Sequence, residues 1–172
     1  SVSNHHLGTL LGLLVAAYEM NTFRDEYQKN VIANAKTFAR ALKDQGLDVV
    51  GDPEVSFTET HQVVVNVGYG RGPAAARQLE ENNIIVNYQA TPEEEGFTAA
   101  GSLRMGVAEM TRFGMTPDGF REVAGYISEI VCNGKDVTEE VSALRSRYLD
   151  MQYCFSGDEF DEKMRELHAL IK

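Results

Sequence analysis

Two blocks of helical periodicity stand side by side in the first 46 residues, and they bury themselves differently. Leu7, Leu10, Leu11, Leu14 and Tyr18 recur at helical spacing while Leu13, Val15 and Ala16 fill the other side. A helix apolar nearly all round belongs inside a protein or against a partner subunit. Tyr27, Val31, Ala35, Phe38 and Leu42 then form a one-sided stripe, which Gly46 ends. The chain therefore opens with two predicted helices.

Past Gly46 the period changes. Asp48–Val50 reads as a short strand, Asp52-Pro53 as a turn, and the valine-rich Gln62–Val67 as a second strand. Gly68, Gly70 and Gly72 break it before a helix over 73–82 that has Pro73 at its start. Ile84–Tyr88 and Ser102–Ala108 read as further strands, with an acidic loop around Glu93-Glu94-Glu95 between them. Thr116-Pro117 opens a helix whose buried face is Phe120, Val123, Ala124, Ile127 and Ile130. Asp136 with Glu139, and Ser156 with Glu159, have capping-box spacing. They introduce helices with faces at Val141, Leu144, Tyr148 and Met151, and at Phe160, Met164, Leu167 and Ile171.

The order implies an α+β, two-layer architecture. A small antiparallel or mixed sheet of three to four strands packs with helices and is preceded by two of them. The expected divisions are a helical lead-in over 1–46, an α/β core over 47–134, and acidic C-terminal helices over 135–172.

Charge narrows the partners. Asp and Glu outnumber Lys and Arg by 26 to 16, and the net charge of −10 repels phosphate backbones and anionic lipid. Neither nucleic acid nor a membrane is expected as partner, and Leu7–Met20 is too short to cross a bilayer. Cys132 and Cys154 fit neither a CxxC unit nor a disulfide framework, and no signal peptide is visible, so a reduced cytoplasmic protein is the expectation. The chain starts at Ser1 without an initiator Met, which reads as a piece of something longer.

Several constellations invite chemistry. Gly68-Tyr69-Gly70-Arg71-Gly72 lies between a strand and a helix, but Pro73 stands where a dinucleotide fingerprint needs glycine, and a strand-to-helix turn is the simpler reading. His5 and His6 suggest a metal ligand pair, yet only His61 and His168 remain to complete a zinc site, and a pair capping the first helix competes with it. No metal site is expected. Ser102 lacks the Gly-x-Ser-x-Gly setting of a hydrolase nucleophile. Arg104, in Gly101-Ser102-Leu103-Arg104-Met105-Gly106, sits on a predicted strand among small residues that leave room for an approaching group. Its planar fork suits a carboxylate, either a substrate's or an internal one.

Gly101 to Val107, followed by Met110-Thr111-Arg112-Phe113-Gly114-Met115, resembles the Ser-Gly-Ile-Arg-x-Gly-Thr…Thr-x-Arg-Gly segment of serine hydroxymethyltransferases. Ile85-Val86-Asn87 is similar to the family's Ile-Thr-Val-Asn strand, Thr60-His61 to its Asn-His-Leu strand, and Asn34-Ala35-Lys36 through Gly46 to its Asn-Ala-Lys…Gly helix. The likeness runs from about Ser3 to Val131 and implies the C-terminal small domain of a fold-type I enzyme that uses pyridoxal phosphate.

The resemblance implies action on the Cα–Cβ bond of β-hydroxy amino acids, with one-carbon transfer to or from tetrahydrofolate. It implies that Arg104 holds the α-carboxylate of a serine, glycine or threonine substrate. His5 and His6 fall where the family touches the cofactor phosphate of a neighbouring subunit, although they replace glycines there. Gln89 falls at a folate-binding asparagine, a second departure that also admits a threonine aldolase or transaldolase. The expected partners are the large domain of the same polypeptide and further copies in a homodimer or homotetramer. No lysine here has the family's Schiff-base context, Thr-His-Lys, so this chain alone is expected to be inactive. A free-standing, non-catalytic binding or assembly domain is the remaining alternative.

Overall fold

The computed structural model describes residues 6–91 and 99–171. The order is α1 (Leu7–Asp44), β1 (Asp48–Val50), a 3-10 turn (Pro53–Val55), β2 (Gln62–Asn66), α2 (Gly72–Glu81), β3 (Asn87–Gln89), β4 (Ser102–Gly106), α3 (Ala108–Arg112), α4 (Pro117–Asn133), α5 (Thr138–Arg145) and α6 (Gly157–Ile171). The strands form one antiparallel sheet in the order β1-β2-β4-β3.

Alternation sorts the two faces of this sheet. Val49, Val63, Val65, Leu103 and Met105 are buried on one face. They share a core with Val31, Ala35, Phe38 and Leu42 of α1, Leu79 of α2, and Phe120, Ala124, Ile127 and Ile130 of α4. The opposite face carries Asp48, Asn66, Ser102 and Gln89 in one cross-strand row, and Val50, Val64, Arg104 and Asn87 in the next. Among the described residues the helices of the core pack on the first of these faces.

Two glycines shape the joints. Gly46, at φ +87°, ends α1 by donating to the Lys43 carbonyl while Leu47 returns to that of Leu42. Gly72 opens α2 against the strand entering β4, where a Cβ would stand 2.7 Å from the Ala100 carbonyl oxygen.

The structure corrects four expectations. The two opening helices are one continuous helix of 38 residues. The polar run Asn21–Glu26 contains neither Gly nor Pro, so the change of pattern marks a change of surroundings and not a break. In its first half Leu10, Leu11, Leu13 and Leu14 are exposed, Leu13 by 65%, so of the two expected settings the described residues do not supply an interior, and a place against a partner subunit is the one that remains. The third strand pairs over Asn87–Gln89, because Ile84–Val86 diverge from β4 to line a cleft. The fourth stops at Gly106, and the short α3 succeeds it where strand was expected. Finally, α5 ends at Arg145, so Tyr148 and Met151 lie beyond it, and Asp136 caps Thr138 two residues on, 3.0 Å away, with Val137 at the N-cap position. The acidic loop at Glu93–Glu95 lies outside the described residues. Among the described residues no helix is long and apolar enough to cross a membrane.

Candidate functional site

The sheet face opposite the core is where polar side chains gather. Across its first row the hydrogen bonds run in one direction. Asp48 can only accept, so the Asn66 amide donates to it at 3.0 Å. That leaves the Asn66 oxygen facing Ser102, whose hydroxyl donates to it at 2.8 Å. Ser102 is buried and committed to this ladder, in keeping with its rejection as a nucleophile. Gln89 ends the row directly opposite Ser102.

Arg104 occupies the next row, flanked by Val64 and Asn87. Cross-strand neighbours on one face lie about 5 Å apart and diagonal ones about 7–8 Å, so Asn87 and Gln89 both border the guanidinium's strand position. The Arg104 side chain makes no hydrogen bond or ion pair with any of the described residues. The chain has two other half-buried arginines, and both are engaged. Arg112 pairs with Glu19, while Arg145 donates to the Tyr148 carbonyl and lies 4.7 Å from the Phe113 ring centroid. A half-buried charge without a partner is costly, and the cost is recovered when an anion arrives.

Beside Arg104 opens a cleft of about 1100 Å³ between the 83–87 segment, α3 and α5. Its walls include Ile85, Met105, Met110 and Leu149, with His61 and Glu109 at its polar margin. The cleft arises from the divergence of Ile84–Val86 from β4, which no periodicity announced.

His6 is exposed at the N-cap position of α1, and its side chain makes no cap hydrogen bond, so the capping reading fails for it. His5 lies outside the described residues. Nor does the structure bring His6 to Arg104. Tyr27 donates to the carbonyl of Ala108, just past β4, at 3.0 Å, and the helix between His6 and Tyr27 is about 30 Å long. Among the described residues no three His, Cys, Asp or Glu converge as metal ligands.

Sequence reasoning missed one further cluster. Glu19, buried on α1, pairs with Arg112 and accepts the Phe155 N–H at 3.3 Å. Nearby, burial pushes the Tyr27 phenol above its ordinary value, partly offset by the Arg112 charge. The available signal was a single acid, Glu19, within a helix otherwise apolar nearly all round.

Comparison with known proteins places this arrangement. The family model described as serine hydroxymethyltransferase matches residues 3–127. The serine hydroxymethyltransferase of Pyrobaculum arsenaticum is 40% identical over 160 residues, covering 91% of this chain and 37% of the relative. That of Korarchaeum cryptofilum is 40% identical over 162 residues, with 90% and 37% covered. Among solved structures, L-threonine transaldolase from Pseudomonas fluorescens superposes with a TM-score of 0.77 at 29% identity, over 88% of this chain and 36% of that one. The chain thus spans a little over a third of the length of these proteins.

Proposed function

This chain belongs to the serine hydroxymethyltransferase family, and we propose that it forms the carboxylate-binding side of a hydroxymethyltransferase that uses pyridoxal phosphate. The observation that carries this reading is the half-buried guanidinium of Arg104, which has no side-chain partner among the described residues, on the sheet face opposite the core. The proposed reaction makes or breaks the Cα–Cβ bond of serine, passing the one-carbon unit to or from tetrahydrofolate.

Pyridoxal phosphate, when bound, withdraws electrons from Cα. The residues of this chain fit the substrate end of that chemistry. Arg104 gives the α-carboxylate two parallel, charge-assisted hydrogen bonds, which fixes the amino acid's rotation as well as its position. That rotation decides which Cα bond lies along the cofactor's π system, so the arginine contributes alignment. Gln89, at the end of the neighbouring row, faces the one-carbon acceptor. His6, at the N-cap of α1, and His5 before it in sequence approach the cofactor phosphate bound by another copy, in a homodimer or homotetramer. The reactive lysine comes from outside this chain. Among the described residues the lysines are Lys29, Lys36 and Lys43 on α1, Lys135 after α4 and Lys163 on α6, and none stands on a strand of the sheet that carries Arg104.

A second reading keeps Arg104 and changes the acceptor. The structural likeness to an L-threonine transaldolase, with Gln89 in place of asparagine, fits threonine with an aldehyde. The complete polypeptide, assayed with serine and tetrahydrofolate and separately with threonine and an aldehyde, decides between them. Folate-dependent serine cleavage supports the first reading; turnover of the threonine pair alone overturns it.

A further inference from the structure

The buried pair Glu19–Arg112 reaches outward from the main core: Arg112 lies between Met110, which packs against that core, and Met115, which belongs to it, while Glu19 stands two helical turns before Tyr27, which packs against the core from α1. The first α1 residue in that core is Val31, about 18 Å further along the helix. Around Glu19 the helix is half-buried at Val15, Ala16, Tyr18, Met20 and Phe23 and exposed at Ala17, Asn21 and Thr22, and none of these residues belongs to the main core.

It closes a ring of contacts between three segments. Glu19 takes Arg112 on one carboxylate oxygen and the Phe155 N–H on the other. The Arg112 carbonyl accepts the Gln152 N–H at 2.6 Å. The chain from Gln152 to Phe155 completes the ring, with Tyr153 against the Tyr27 ring and Phe155 against Phe23. The Asn30 amide donates to the Tyr153 hydroxyl at 2.7 Å.

This ring is the outermost of three bolts between α1 and the segment after β4. Asn34 donates to the Thr111 hydroxyl and the Met115 carbonyl, and Tyr27 donates to the Ala108 carbonyl. Asn34 and Tyr27 are about 10 Å apart along α1, whereas Asn34 and Glu19 are about 22 Å apart. For equal play at each bolt, the longer base roughly halves the angular freedom of the projecting half of α1 relative to β4.

We propose that Glu19 and Arg112, clasped by the 152–155 segment, are positioning residues for Arg104. They fix the angle at which α1 leaves the substrate-binding sheet, and so fix where the guanidinium stands relative to whatever the first half of α1 joins. The proposal rests on the carboxylate reading of Arg104.

The test uses the complete, cofactor-loaded polypeptide with glycine as probe. Glycine affinity is measured by calorimetry, and amide hydrogen exchange is tracked over residues 107–115. Glu19→Gln keeps the size and a hydrogen-bonding end but removes the charge. It is expected to weaken glycine roughly three- to thirtyfold, the range for mutations that couple to a site without touching ligand, and to speed exchange over 107–115. Cofactor loading should match the parent. Arg112→Lys carries the same test if Glu19→Gln does not load, and the double variant Glu19→Gln/Arg112→Gln should be no worse than either single change. A merely structural pair gives lower melting temperature and fewer loaded molecules, with parental glycine affinity in those that remain. That result overturns the proposal. Arg104→Lys, run alongside, separates the two layers. If it weakens glycine while Glu19→Gln does not, positioning falls alone; if Arg104→Lys leaves glycine affinity at the parental value, the site reading falls and positioning with it.

Discussion

Asn34 is the buried bolt on which the placement of α3 depends, and its substitution has a magnitude that can be worked out. Its amide donates 2.9 Å to the Thr111 hydroxyl and 3.0 Å to the Met115 carbonyl, and all three residues are buried. Thr111 donates its own proton to the Val107 carbonyl at 2.8 Å, so towards Asn34 it can only accept. Asn34→Ala removes two bonds worth about 1 kcal/mol each and leaves the Met115 carbonyl without that donor, for a loss of about 2–4 kcal/mol. In a protein of this size that lowers Tm by roughly 5–15 °C. Asn34→Asp is the sharper probe, because an ionised carboxylate would face two acceptors and can donate to neither. Burial raises the folded-state pKa of such a carboxyl. Its penalty therefore grows as pH rises above the unfolded value of about 4 and shrinks on acidification. Urea unfolding of both variants between pH 4 and 8 reads the effect. An Asp variant at least as stable as the Ala variant at neutral pH would refute the donor–acceptor assignment.

The same geometry sets further outcomes. Borohydride treatment of this chain mixed with pyridoxal phosphate should leave no stoichiometric label on a single lysine; peptide mapping that finds one contradicts the placement of the reactive lysine elsewhere. In the complete polypeptide, replacing His5 and His6 together by Ala should weaken cofactor retention several-fold while leaving the fold intact, and unchanged retention on dialysis argues against their phosphate role. The Tyr27 phenol, held above its ordinary value of 10.0 chiefly by burial, contributes stability that is intact below pH 10 and is lost as pH rises through the folded value. Tyr27→Phe should cost about 1 kcal/mol at neutral pH and flatten that alkaline decline in pH-dependent unfolding.

Much of the fold was legible because its strands are marked by a valine run in β2 and by apolar residues at alternate positions in β4. Val63 and Val65 in β2, and Leu103 and Met105 in β4, announce a one-sided sheet. The stripe from Val31 to Leu42 announces the helix that covers it. The continuity of α1 was not legible, since the polar run near Arg24 resembles a loop until nothing is found that breaks it. The short α3 was hidden for another reason. It is a five-residue helix held by Tyr27 and Asn34 from α1, and local propensity carries no trace of such distant partners.

At the site, the type and setting of Arg104 suggested a carboxylate, and the family resemblance sharpened that. That its side chain has no partner among the described residues could be read only from the folded chain. The Glu19–Arg112 pair spans 93 positions in sequence. No spacing rule connects such residues, and only the lone acid in an apolar helix hinted that a partner was needed.

The central claim is that Arg104 receives the substrate's carboxylate, and titration of the complete, cofactor-loaded Arg104→Lys variant with glycine and serine tests it most directly. Lysine keeps the charge and loses the planar fork, so one charge-assisted hydrogen bond of about 1.5–3 kcal/mol is forfeited. Affinity should therefore fall by about one to two orders of magnitude, with cofactor absorbance and melting temperature close to those of the parent. Parental affinity for both amino acids in a folded, loaded variant would contradict the account.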